Sequence, residues 1–115
     1  MTTYRYATPI LDALAFARMS IATDDPNPIH FDHQAAVRAG LPSVIGSGLF
    51  VMGLLDKAAR SVAGDHTGYK FDVQMRGPVL PGVALEISVV DEQDRPAVEV
   101  NDSAGGVVAK GRLHY

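Results

Sequence analysis

Hydrophobic side chains in this chain follow two rhythms, helical in the first half and alternating in the second. Between Pro9 and Ala22, the residues Ile10, Leu11, Leu14, Ala17 and Ile21 recur at helical spacing, and Pro9 suits a first turn. Asp12 stands near the start of that predicted helix, where an acid complements the dipole. Ahead of it, Tyr4 to Ala7 is a short strand candidate. A helical turn is expected within Phe31 to Ala39, ended by Gly40, whose tolerance of positive φ fits a cap. From about Ser47 to Ala63 runs a helix of another kind. Its residues Leu49, Phe50, Val51, Met52, Leu54 and Leu55 leave no polar side until Asp56, Lys57 and Arg60. A helix apolar all round is expected to be surrounded by protein.

The second half alternates. Tyr69, Phe71, Val73 and Met75 are interleaved with Lys70, Asp72, Gln74 and Arg76, and Val83, Leu85, Ile87 and Val89 with Ala84, Glu86 and Ser88. This is the pattern of one-sided antiparallel strands. Pro78, Pro81 and Gly82 interrupt them, while turns at Asp91 to Pro96 and Asn101 to Gly106 lead into strands near Ala97 to Val100 and Val107 to Leu113. A curved sheet wrapped along the apolar helix buries both economically. The expectation is one α+β domain over residues 1–115, with helix, buried helix and then a meander.

Composition narrows the setting. The absence of cysteine excludes disulfides and a thiolate nucleophile and suits a reducing, cytoplasmic location. The N-terminal residues lack an apolar signal core, and no apolar run reaches spanning length, so no membrane partner is expected. A net charge of −3, with no helix that concentrates Lys and Arg, argues against nucleic acid.

The chemistry gathers in Asp24-Asp25-Pro26-Asn27-Pro28-Ile29-His30. Two prolines fix their own φ and push Asp25 and Asn27 toward extended backbone, so an acid, an amide and an imidazole sit on a stiff loop. Such groups do general acid–base work when they hold hydrogen-bonding distance without drifting. Asp25-x-Asn27-Pro28-Ile29-His30, followed by Ile45-Gly46-Ser47-Gly48, resembles the MaoC-like family of (R)-specific enoyl-CoA hydratases and related dehydratases. The resemblance runs from about Ile10 to the C-terminus. It implies a single hotdog fold, in which an antiparallel sheet wraps a central helix. It further implies reversible hydration of a trans-2-enoyl thioester carried by coenzyme A or an acyl carrier protein, with Asp25 and His30 as the catalytic pair. Gly48, at the start of the buried helix, would offer its N–H to the thioester oxygen. No cofactor or metal is called for, and a homodimer or a hetero-oligomer with a related hotdog subunit is expected.

Asn27, Ser47 and Arg76 are the candidate substrate-binding residues. Each has a plainer reading: Asn27 as a loop-fixing hydrogen-bonder, Ser47 as an N-cap, and Arg76, with Lys70, Lys110 and Arg112, as the solvated face of a strand rather than a phosphate contact. Asp56 either faces Asp25 as a like charge or marks where its helix reaches solvent. A metal on His30, Asp32 and His33 lacks further ligands nearby in sequence, since His66 and His114 are remote. The chain departs from the family in three ways. Ser47 stands where the family usually has His, Val83 follows the Pro78-Val79-Leu80-Pro81-Gly82 turn where an acid is common, and the chain is short. These keep open a specialised dehydratase, isomerase or cyclase of a biosynthetic pathway, and a non-catalytic hotdog subunit.

Overall fold

The computed structural model describes residues 2–64, 70–90 and 96–114. In chain order it contains β1 (Thr2–Ala7), α1 (Ala13–Ala22), a 3-10 turn (Pro28–His30), α2 (His33–Arg38), α3 (Gly48–Ala63), β2 (Lys70–Met75), β3 (Leu85–Val90), β4 (Ala97–Asp102) and β5 (Val107–His114). The strands form one antiparallel sheet in the order β1-β3-β4-β5-β2. Only β3, β4 and β5 are a meander. β2 crosses to the far edge and pairs with β5, from Lys70 opposite His114 to Met75 opposite Ala109. Tyr69 and all but Pro96 of the turn expected from Asp91 to Pro96 lie outside the described residues.

Alternation decides which side of the sheet meets α3. Leu85, Ile87 and Val89 of β3 and Val98 and Val100 of β4 are buried, and with Val108 of β5 they pack with Val51, Leu55 and Ala58 of α3 in one core. Ala58, Ala59 and Ala63 have short side chains, which let the helix lie close to the strands. This sheet wrapped on a long helix is the hotdog arrangement. The helix is not enclosed all round, however: Leu49 is 58% exposed and Met52 38%. Its first turns are apolar on a side that no described residue covers. No helix among the described residues is long and apolar enough to cross a membrane.

The first helix also differs from its predicted form. Thr8 to Leu11 stay extended because they continue to pair across the sheet: Thr8 N–H donates to Leu85 O at 2.8 Å and Leu11 N–H to Val83 O at 2.9 Å. The helix therefore starts at Ala13, with Asp12 as its N-cap accepting from Ala15 N–H at 2.8 Å. That start turns Phe16 and Ser20 inward, while Leu14 and Ile21 face outward with Ile10. Tertiary contact with the loop after α2 overrides the apolar stripe: a Cβ on Gly46 would stand 3.2 Å from the Phe16 ring and 3.1 Å from Val79 Cβ.

Candidate active site

The candidate site begins where α1 stops. Asp24 N–H donates to Ile21 O at 3.3 Å and Asp25 N–H to Ser20 O at 2.9 Å, while Asp24 sits at φ 54°. This paired pattern around a left-handed residue is a Schellman motif, with Asp24 in the place glycine usually takes. It delivers Asp25 as the second residue beyond the cap. The prolines then work as the sequence predicts, and Asn27 caps the 3-10 turn by accepting from Ile29 N–H at 3.3 Å. Asn27 N–H donates to Asp25 Oδ1 at 3.1 Å, so the loop holds its own carboxylate.

The turn carries His30 inward. Its side chain is 7% exposed, against 25% for Asp25, and Nε2 lies 3.1 Å from Asp25 Oδ2. On the other side of the ring, Nδ1 lies 2.9 Å from Ile45 O. A carbonyl oxygen only accepts, so Nδ1 carries the proton of that contact, and Nε2 faces Asp25 with one proton to share between them. Ile45 is in turn tied to the motif, since Ile45 N–H donates to Ile29 O at 3.2 Å, and Gly46 N–H donates to Val79 O at 2.9 Å. The chemical capacity is that of a coupled acid–base pair, partly open on the Asp25 side and fixed on the His30 side.

Ser47 and Gly48 follow directly. Ser47 is fully buried and its Oγ accepts from Phe50 N–H at 3.3 Å, which makes it the N-cap of α3. Gly48 is exposed, and a Cβ built on it would meet nothing within 4 Å. The first N–H groups of a helix have no partner within it and carry partial positive charge, so open space at Gly48 leaves room for an oxyanion. Ser47 and Gly48 thus lie on the same short loop as the Ile45 carbonyl that holds His30.

Other candidates lie elsewhere. Arg76 lines a groove of about 530 Å³ with Gln74, Glu99, Lys110 and Arg112. That groove is on the face of the sheet turned away from α3, as the alternation of β4 and β5 requires. Lys110 Nζ is 4.0 Å from Glu99 there, and Lys70 Nζ is 3.9 Å from Asp72. Asp56 pairs with Arg60 at 2.9 Å on the outer side of α3. Asp32 is the N-cap of α2, accepting from Gln34 and Ala35 N–H, and His33 is exposed. The Ile45 and Ser20 carbonyls were not foreseen as parts of the site, because main-chain acceptors leave no mark in residue type.

A profile of the MaoC like domain matches residues 5–111. The chain belongs to the MaoC-like family. A comparison with curated protein sequences found no match. Among solved structures, the MaoC-like chain is similar to one from the ChsH1-ChsH2 complex of Mycobacterium tuberculosis, with 20% identity and a TM-score of 0.73 over 99% of this chain and 94% of that one. It is also similar to the R-hydratase PhaJ1 from Pseudomonas aeruginosa, with 22% identity and a TM-score of 0.72 over 96% and 76% of the two chains. The (R)-hydratase from A. caviae involved in PHA biosynthesis gives 16% identity and a TM-score of 0.71 over 96% and 89%. These likenesses establish the hotdog fold for the MaoC-like chain.

Proposed function

We propose that this protein reversibly hydrates a trans-2-enoyl thioester to the (R)-3-hydroxyacyl thioester, on coenzyme A or an acyl carrier protein. The observation that carries the reading is the Asp25 Oδ2–His30 Nε2 contact at 3.1 Å, with the far ring nitrogen held by Ile45. Membership of the MaoC-like family and the likeness to two R-hydratases support it. Water held at the dyad attacks C3 and its proton passes to the pair, while the pair's shared proton goes to C2. One water is added across the double bond and the dyad returns to its starting protonation. Negative charge developing on the thioester oxygen is met by Gly48 N–H, and fixed dipoles of this kind act most strongly out of water. Asn27 and Ser47 act on the substrate through the loop shapes they set. Arg76 lies in the groove on the far face of the sheet and takes no part at the dyad.

The working unit is proposed to be a homodimer or a hetero-oligomer with a related hotdog subunit. The exposed Leu49 and Met52, an outer edge of β2 that pairs with no strand among the described residues, and the likeness to a chain of the ChsH1-ChsH2 complex support this. The test is product analysis with trans-2-enoyl and 3-hydroxyacyl thioesters of graded chain length on both carriers. Formation of the (R)-3-hydroxy product is expected. Absence of turnover across the whole panel overturns the reading in favour of a non-catalytic subunit.

A further inference from the structure

Ser20 has a buried side-chain oxygen with no hydrogen-bond partner among the described residues. A hydroxyl on a helix ordinarily satisfies itself on the carbonyl four residues back. Two others here do so: Thr23 Oγ1 donates to Met19 O at 2.8 Å and Ser61 Oγ to Lys57 O at 3.0 Å. Ser20 does not, although the same acceptor lies one turn behind it. Its hydroxyl is free to serve something else.

What lies beside it follows from the way α1 ends. In a Schellman motif the third residue from the helix end and the second residue beyond the cap bring their side chains together, usually as an apolar contact. Helix α2 ends in this way: Gly40 at φ 87° is the left-handed residue, Gly40 N–H donates to Val37 O, and Leu41 N–H donates to Ala36 O. The paired side chains there are Ala36, fully buried, and Leu41, packed against the core. In α1 the same two positions are Ser20 and Asp25, joined by the 2.9 Å bond from Asp25 N–H to Ser20 O. Those two places, apolar in α2, hold a serine and an aspartate in α1.

We infer that Ser20 is a positioning residue of the dyad, its hydroxyl donating through one water to the Asp25 carboxylate and so holding the carboxylate toward His30. This rests on the proposed hydration reaction for its kinetic consequence, but not for its geometry. Asp25 already accepts from Asn27 N–H on Oδ1 and faces His30 on Oδ2. His30 from the 3-10 turn faces it, and Asp24 precedes it on its own loop. A third donor from the buried side limits the remaining rotation of the carboxylate, which the loop alone leaves open. Hydrogen bonds to a charged acceptor are among the stronger ones, so the loss is measurable in rate.

The test compares Ser20→Ala with the wild type in three measurements. Turnover of a short trans-2-enoyl-CoA is expected to fall about tenfold in kcat with KM little changed. The melting temperature is expected to fall only slightly, because the carboxylate keeps its contacts with Asn27 N–H and His30 when the hydroxyl is removed. The ¹³C resonance of the Asp25 carboxyl, assigned by its loss in Asp25→Asn, is expected to shift in Ser20→Ala. Unchanged kcat with an unmoved resonance overturns the inference and leaves Ser20 as packing. If the wild type hydrates no enoyl thioester, the functional reading fails on its own, and the Asp25 resonance alone decides Ser20.

Discussion

His30 Nδ1 lies 2.9 Å from the carbonyl oxygen of Ile45, fifteen residues along the chain, and this contact sets which proton of the imidazole is mobile. A main-chain acceptor cannot be titrated or removed by side-chain substitution. The state of the dyad is therefore controlled by how the loop before α3 is seated.

Gly46 tests that dependence. A methyl group there meets Val79 Cβ at 3.1 Å and the Phe16 ring at 3.2 Å, and both neighbours are buried and have little room to yield. Gly46→Ala is expected to cost about 1–3 kcal/mol by urea unfolding. It should also lower hydration more than the stability loss explains, because Ile45 O moves with the loop. A variant with normal rate and reduced stability would show that the His30 contact tolerates displacement.

The dyad itself predicts non-additive losses. Asp25→Asn and His30→Ala should each reduce enoyl thioester hydration by about 10²–10⁴-fold, the range of a general acid–base group. The double variant should be little worse than the poorer single one, since each removal disables the shared proton. Near-normal rates in both single variants on a verified substrate would sink the catalytic assignment.

Asp24 holds a left-handed backbone without being glycine. Asp24→Gly removes a conformational penalty but adds freedom to the unfolded chain, so a net gain of at most about 1 kcal/mol is expected. Thermal unfolding measures it. A clear loss of stability would mean that the Asp24 side chain makes an interaction worth more than the strain.

Ser47 is buried as the N-cap of α3, and Ser47→Ala should cost about 0.5–2 kcal/mol. Turnover should change less than for either dyad variant. A large fall in kcat at constant melting temperature would instead make Ser47 a substrate contact.

Assembly is tested on the open side of α3. Light scattering of the wild type should report a dimer, or a stable complex once a related hotdog subunit is supplied. Leu49→Glu combined with Met52→Glu should leave the chain monomeric and mostly folded, since both side chains are exposed in the single chain. A wild-type monomer with full activity would overturn the proposed pairing.

Much of this molecule is readable without coordinates, wherever the determining physics is local. Pro26 and Pro28 stiffen the loop by their own ring geometry, Ser47 caps the helix it precedes, and alternation in Leu85, Ile87 and Val89 marks the buried face of β3. The motif around Asp25 and His30 is likewise a matter of neighbours in sequence. Periodicity cannot say which partner covers a face or which strand lies beside which. The stripe Ile10, Leu14 and Ile21 has helical spacing yet faces outward, because pairing of Leu11 with Val83 delays the helix and Phe16 seats against Gly46. β2 bypasses β3 for β5, and the apolar start of α3 keeps an open side in the single chain. The proton arrangement of His30 likewise needed tertiary structure, since its acceptor is a backbone oxygen brought near only when the loop folds back on the motif.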